Sequence, residues 1–398
     1  LCDLIDRGYR VLEQAQRRVA AGQLDRRAIK ASDSNHAILS AAEAPVGWPH
    51  YKGNPQRTGY TSGPGAQRGE QMWTFPAGLG WRARPVIENG RAYVTSPGMR
   101  TILKCIDIET GDVIWRAQQP VRLLMDQLYN TPAGASTPIV LEDRILVREM
   151  GSRGMDGPAR HVVVIDKETG RIRDQIEAGH VDYRTGWAPV AANASYMAIP
   201  FGVQNIEGKP PTTQHFNRIR LRSTDTGQLL WQYNLGPIFA SPVLRGNRLW
   251  VATRNGYVYC LKADGQYPPA SAKRIAWTFH AGGAVNQAVT VVDGSIYFGA
   301  NDGVLYSLDR KTGALQWKRE LAAAEPRAFR QFSKPLVKNG RVYIGGADQH
   351  LYCLDAKTGR VIAKAKSDDW IRAKPVAMGD RVYFASKARE WIQANPKA

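Results

Sequence analysis

Hydrophobic and polar positions along this chain fall into short bursts rather than the three-and-four spacing of a helix. "GRAYVTS" (90–96), "DRILVRE" (143–149), "ASYMAIP" (194–200), "NRLWVAT" (247–253), "GSIYFGA" (294–300), "GRVYIGG" (340–346) and "DRVYFAS" (380–386) are β-branched or aromatic over about five positions and are bounded by Gly, Asn or Asp. Such runs predict short strands joined by tight turns. Each follows another short run that begins at Pro85, Pro138, Pro189, Pro242, Ala288, Pro335 or Pro375. The stretch "WRARPVIENGRAYVTSP" (81–97) thus returns late in the chain as "IRAKPVAMGDRVYFASK" (371–387).

A second recurring feature closes each copy. Asp107-Ile-Glu-Thr-Gly111, Asp166-Lys-Glu-Thr-Gly170, Ser223-Thr-Asp-Thr-Gly227, the shortened Lys262-Ala-Asp-Gly265, Asp309-Arg-Lys-Thr-Gly313 and Asp355-Ala-Lys-Thr-Gly359 each follow a β-rich run such as "VLYSLD". The leading Asp can accept backbone N–H bonds and the Gly supplies a positive φ, so these residues read as turn architecture rather than catalysis. Four residues after the Gly stands Trp115, Trp231 or Trp317, with Asp174 and Ala363 departing, and Trp277 arrives beyond an insertion. Seven copies of a four-stranded meander, a unit of about 40 to 45 residues lengthened by insertions in some copies, predict an all-β chain folded as a β-propeller. The last copy stops in its turn, at Asn395, and the segment 70–76 with Trp73 is expected to supply its missing strand. Seven blades are expected, with eight as the alternative.

Outside the repeat, residues 1–22 place Leu4, Ile5, Val11, Leu12, Ala15 and Val19 on one helical face with Gly22 as a stop, which predicts a short amphipathic helix. Residues 23–47 read as a linker and 48–398 as the propeller. The chain opens on Leu rather than Met, so a preceding segment is expected. No run of about 18 apolar residues occurs that would span a bilayer as a helix. Of the net charge of +19, residues 1–45 contribute one unit, so the propeller itself is basic. That balance suits polyanions, but no reading motif accompanies it and nucleic acid is disfavoured.

The segments "CIDIETGDVIW", "YSLDRKTGALQW" and "YCLDAKTGRVI" resemble the PQQ-like β-propeller repeat, and "WPHYKGNPQRTG" (48–59) is similar to the segment that introduces such propellers in bacterial proteins. The resemblance covers residues 46–398. It implies that Trp73, Trp115, Trp231, Trp277 and Trp317 dock one blade on the next, with looser junctions at Asp174 and Ala363. It also implies a periplasmic or extracellular location and a monomeric propeller. The superfamily includes quinoprotein dehydrogenases and outer-membrane assembly scaffolds, so the fold alone does not decide function.

A quinoprotein would bring an adjacent Cys pair, a calcium site and an Asp base around pyrroloquinoline quinone (PQQ), and none of these is matched residue by residue. Cys105, Cys260 and Cys353 fall in one strand slot of separate copies, where they read as buried small side chains. The seven histidines show no metal-ligand spacing, and His280 reads as a turn residue.

Candidate binding chemistry lies at the entry to the inner strands. The residues before the proline slot are Arg84, Thr137, Ala188, Ser241, Gln287, Lys334 and Lys374, and the three basic ones belong to copies that become neighbours when a ring closes. With Arg82, Arg330 and Arg372 they suggest a positive arc at the channel mouth, able to hold carboxylate, phosphate or sulfate. The alternative is solvated rim charge with Arg stems covering apolar surface. Long segments at 116–136, 150–161 and 201–217 are expected on the same face. The favoured function is a non-catalytic binding or assembly scaffold engaging a protein partner, an anionic small molecule or a glycan. The alternatives are a PQQ-binding oxidoreductase using calcium, and acidic-polysaccharide recognition.

Overall fold

In the computed structural model the chain divides into Leu1–Ala44 and Pro45–Ala398. The structure describes residues 60–61, 73, 83–95, 101–118, 136–148, 160–179, 190–201, 216–264, 267, 271–292, 294–322, 330–378 and 381–386. The expected helix at 1–22, the linker, Arg82 and the last strand before Asn395 lie outside the described residues.

Six antiparallel four-stranded sheets follow one another, each with its strands in chain order. The first comprises Val86–Glu88, Arg91–Thr95, Thr101–Asp107 and Val113–Gln118. The second comprises Ile139–Val140, Arg144–Arg148, Arg160–Asp166 and Ile172–Gly179, and the third Ala191–Ala192, Tyr196–Phe201, Phe216–Ser223 and Leu229–Ile238. The fourth holds Val243–Arg245, Arg248–Ala252, Tyr257–Lys262 and Ile275–His280, and the fifth Thr290–Val292, Ser295–Gly299, Val304–Asp309 and Leu315–Glu320. The sixth is Leu336–Lys338, Arg341–Gly345, His350–Asp355 and Val361–Lys366. A seventh sheet, three-stranded among the described residues, holds Val376–Met378 and Arg381–Tyr383.

Consecutive sheets pack face to face. Val86, Tyr93, Leu103 and Trp115 of the first share a core with Ile145, Val147 and Val163 of the second, and comparable cores join the second to the third and so on to the sixth. The second strand of each four-stranded sheet is covered on both sides, which is why "YMAIPF" and "SIYFG" are almost continuously apolar instead of alternating. Burying one such Val, Ile or Phe contributes about 1.5 to 3 kcal/mol. The result is an all-β propeller.

The turns behave as their sequence requires. Asp107 Oδ1 accepts the N–H groups of Glu109 and Thr110, both at 2.9 Å, and Asp166, Asp309 and Asp355 repeat the arrangement. The closing glycine has φ between 69° and 78° at Gly111, Gly170, Gly227, Gly313 and Gly359. A Cβ on Gly170 would lie 2.5 Å from the Trp115 indole, and one on Gly313 2.6 Å from that of Trp277. Glycine is therefore needed both for the turn and for the docking of the preceding sheet. A bulge interrupts the pairing of third and outer strands just before each of these turns in all six sheets.

The seventh sheet adds a feature that the strand pattern did not indicate. Tyr60–Thr61 pairs in parallel with Val376–Met378, on the inner edge of the sheet. The segment leading into the propeller thus covers backbone groups that would otherwise form an open edge. Of the expected closing strand at 70–76 only Trp73 is described, and it sits on the first sheet as a docking tryptophan should.

Candidate functional site

Antiparallel order fixes which connections share a face. One end of every sheet carries the short turn between inner and second strands and the turn before the outer strand. The other end carries the entry to the inner strand, the connection from second to third strand and the crossover to the next sheet. At that second end the longer joins are 119–138, 149–159, 180–190 and 202–215 in the first three sheets and 321–335 between the fifth and sixth. Between second and third strands the fourth, fifth and sixth sheets turn tightly, at Thr253–Gly256, Ala300–Gly303 and Gly346–Gln349.

The pre-proline slots line this same end. In the second sheet Ser136 exchanges backbone bonds with Arg148: Ser136 N donates to Arg148 O at 2.9 Å, and Arg148 N donates to Ser136 Oγ at 3.0 Å. In the sixth, Ser333 does the same with Gly345 at 2.7 and 2.9 Å. A serine two residues before proline therefore pins the entry strand and sets the orientation of the slot residue, Thr137 or Lys334. Neighbouring slots are tied directly, since Arg84 N donates to Thr137 Oγ1 at 3.2 Å. Thr290 Oγ1 likewise donates to Pro335 O at 2.6 Å, joining the fifth and sixth inner strands.

The predicted basic residues separate into two environments. Lys334 and Lys374, at the entries of the adjacent sixth and seventh inner strands, are 0% and 5% exposed. They are not the solvated rim charges that the alternative reading supposes. Arg84 and Arg372 are exposed, and Arg330 is half-buried. The Arg372 guanidinium lies 4.4 Å from the Trp370 ring centroid, so part of its charge rests on an aromatic face.

Arg148, absent from the expected arc, is a further deeply buried cation of this end. It is 1% exposed, it donates Nη2–H to Pro200 O of the third sheet at 2.7 Å, and burial lowers its pKa to about 10. Its sequence signal was an arginine at the fifth position of a second strand, where the other copies have Thr95, Pro200, Ala252, Gly299, Gly345 and Ala385.

Nε1–H groups of Trp73, Trp231, Trp277 and Trp317 donate to the carbonyls of Ile108, Ala263, Arg310 and Ala356 in the following sheet, at 2.7, 3.3, 3.1 and 3.0 Å. Trp115 packs on Gly170 in the same manner. The junction at Asp174 is not loose as expected, because Ile176, two residues on, fills the space and would meet a Cβ on Gly227 at 3.2 Å. The whole outer strand containing Ala363 is exposed. In the fourth sheet the shortened turn is organised instead by Arg274, which donates to Lys262 O, Asp264 O and Tyr267 O at 3.3, 2.9 and 2.6 Å and lies 4.7 Å over Trp231.

Two further expectations resolve. Cys105 and Cys260 are buried free thiols whose pKa values burial pushes up to about 11 and about 12, and Cys353 is half-buried and shifted the same way by burial. None is a reactive thiolate at neutral pH. His280 ends an outer strand rather than forming a turn, cross-strand from Tyr257. Among the described residues no three His, Cys, Asp or Glu side chains stand together to hold a metal ion. No described helix is long and apolar enough to cross a membrane.

Comparison with known proteins agrees with this architecture. A search of curated proteins finds no match. Among solved structures, BamB from Moraxella catarrhalis is similar at a TM-score of 0.52 and 16% identity, over 75% of this chain and 77% of that one. A europium-containing methanol dehydrogenase reaches 0.56 at 14% identity, over 86% and 89%. A quinohemoprotein alcohol dehydrogenase from Pseudomonas putida reaches 0.54 at 15%, over 76% and 62%. At these identities the likeness concerns fold. The family profile described as outer membrane protein assembly factor BamB matches residues 63–198 and 215–395, and with the repeated turns and docking tryptophans in place the chain belongs to that family of PQQ-like β-propellers.

Proposed function

We propose that this propeller is a non-catalytic assembly scaffold of the periplasm, and that it receives a protein partner on the face bearing the long connections and the inner-strand entries. The observation that carries this reading is the gathering of most of the long joins and of the pre-proline slots at one end, on a stack of sheets whose other end holds short turns apart from 263–274 of the fourth sheet. Rigid scaffolds with long loops on one face are where recognition usually resides. The family's description as an outer-membrane assembly factor supports the same direction. Arg84, Arg330 and Arg372 give this face a positive character suited to acidic side chains of the partner, with Lys334 and Lys374 buried at the inner-strand entries behind them.

The test is photo-crosslinking in cells from positions 330 and 372, with positions 109 and 311 in the opposite turns as controls. One defined partner captured from 330 and 372 but not from the controls supports the scaffold reading, provided that loss of the protein also lowers the folded fraction of outer-membrane β-barrels. Equal capture from both ends, or unchanged barrel folding, overturns it. Titration with PQQ and calcium discriminates the alternative chemistry: saturable one-to-one binding would assign a quinone oxidoreductase. Replacing Arg84, Lys334 and Lys374 together is expected to abolish anion binding at the channel mouth, and unchanged binding removes that part of the proposal.

A further inference from the structure

The outer strands, with the turns that lead into them, divide by charge. Residues 107–118, 166–177 and 223–234 of the first three sheets hold four Lys or Arg against eight Asp or Glu, whereas the equivalent 309–320 and 355–366 of the fifth and sixth sheets hold eight against three. Pairing sharpens the contrast. In the first two sheets Arg91 pairs with Glu168, Lys167 with Glu88, and Arg173 with Asp143 and Asp166, all within 2.7 Å. None of the eight cations of the fifth and sixth outer segments makes an ion pair among the described residues, and all but Arg310 are exposed.

The two basic segments form one surface. Arg319 Nε donates to Gly359 O at 2.9 Å and Trp317 Nε1 to Ala356 O at 3.0 Å, so the fifth outer strand is seated on the turn that opens the sixth. Leu315, Val361 and Ile362 stand on that surface, 46%, 38% and 42% exposed. Leu315 and Val361 take the position two residues after the turn glycine. The same position is 42% exposed at Leu229, whose following sheet is complete, so the exposure belongs to the position in the blade and not to the end of the stack.

Exposed aliphatic side chains among lysines fit an anionic bilayer. The aliphatic groups enter the boundary between headgroups and acyl chains, while lysine stems lie along apolar surface and their ammonium heads stay with the lipid phosphates. Folded-protein interfaces are depleted in lysine, and five of the eight cations are lysines. We propose that the outer rim of the fifth and sixth sheets is a membrane-docking surface for anionic phospholipid, in which Lys318, Lys364 and Lys366 engage headgroup phosphates and Leu315, Val361 and Ile362 enter the lipid boundary. The proposal does not rest on the scaffold reading and stands or falls separately from it.

The experiment is co-sedimentation of the full chain with vesicles of phosphatidylcholine, alone or mixed with phosphatidylglycerol, at low and high salt. Binding that needs phosphatidylglycerol and falls with salt is the expected result. Each cation near an anionic surface is worth about fivefold, so Lys318→Glu, Lys364→Glu and Lys366→Glu together should weaken it about a hundredfold or more. Leu315→Asn with Ile362→Asn is expected to weaken it about tenfold or more, since it removes the inserted groups and keeps every charge. Ile114→Asn with Leu229→Asn, at equally exposed positions of the acidic sheets, is expected to leave it unchanged. Thermal melts of each variant separate loss of the surface from loss of the fold. No binding to phosphatidylglycerol vesicles overturns the proposal. So does binding that survives the charge reversal, binding indifferent to Leu315→Asn with Ile362→Asn, or tight binding of polyglutamate without binding to vesicles, which would assign the surface to an acidic protein.

Discussion

Trp73 lies flat on Gly111 and donates its indole N–H to the carbonyl of Ile108 at 2.7 Å, the same relation that Trp317 has to Gly359 and Ala356 one sheet further along the chain. A residue well before the first complete sheet therefore docks on that sheet as if it belonged to a preceding blade. Its neighbours on the first sheet are Ala92, Val94 and Ile106.

Trp73→Ala is accordingly expected to destabilise the propeller by about 2 to 4 kcal/mol, within the range for removing a large aromatic from a packed junction. Trp73→Phe keeps much of the contact and loses the hydrogen bond, which costs about 1 kcal/mol. Denaturant midpoints for Trp73→Ala and Trp317→Ala should fall by similar amounts; a neutral Trp73→Ala would show that the segment is not an integral docking element.

Two glycines with nearly the same backbone separate strain from packing. Gly90 and Gly313 have φ of 73° and 75°, but a Cβ on Gly90 meets nothing within 4 Å, whereas one on Gly313 meets Trp277 at 2.6 Å. Gly90→Ala is expected to cost about 1 kcal/mol from the positive φ alone. Gly313→Ala adds a steric term of about 1 to 3 kcal/mol, because the indole must move out of its seat. Melting temperatures of the two variants should differ clearly, and equality would mean that Trp277 yields without loss.

Arg274 is 0% exposed and its guanidinium gathers three carbonyl oxygens, Lys262 O, Asp264 O and Tyr267 O. Removing a buried charged donor from three half-buried acceptors costs these bonds, so Arg274→Ala is expected to destabilise by about 2 to 3 kcal/mol. Lysine cannot serve three acceptors in a plane, and Arg274→Lys should recover only part of the loss. The check is the denaturant midpoint with the quenching of Trp231, whose ring the guanidinium covers.

The architecture was legible because it repeats. Seven copies of one pattern average out the ambiguity of any single five-residue run, and Asp-x-x-Thr-Gly specifies its turn through two independent demands, an acceptor at the start and a positive φ at the end. What stayed hidden were residues whose role depends on a neighbouring copy. Ile176 replaces a docking tryptophan from two positions away, Arg148 reaches Pro200 across a sheet junction, and Tyr60–Thr61 pairs with Val376–Met378 from the far end of the chain. The burial of Lys334 and Lys374 was likewise invisible, since a strand pattern does not say how deeply the entry strands sit.

The turn aspartates set the response to acid. The carboxyls of Asp309 and Asp355 are held below the usual carboxylate range, the first chiefly by the backbone N–H of Thr312 and the second chiefly by the Thr358 hydroxyl. Asp143 is lowered to about 2 by Arg144 and Arg173, and Asp166 is lowered chiefly by Arg173. A carboxylate whose folded pKa is depressed binds its proton more readily in the unfolded chain, where the value is about 3.9. Its stabilisation is therefore fully present above about pH 5 and disappears as pH falls through the folded value. The melting temperature is expected to be flat from pH 8 to pH 5 with respect to these groups and to fall progressively between about pH 4 and pH 2. Asp309→Asn, which still accepts the turn N–H bonds but cannot titrate, should lower stability at pH 7 and flatten the acid slope. A variant whose acid slope matches the parent would show that the turns do not carry the pH dependence.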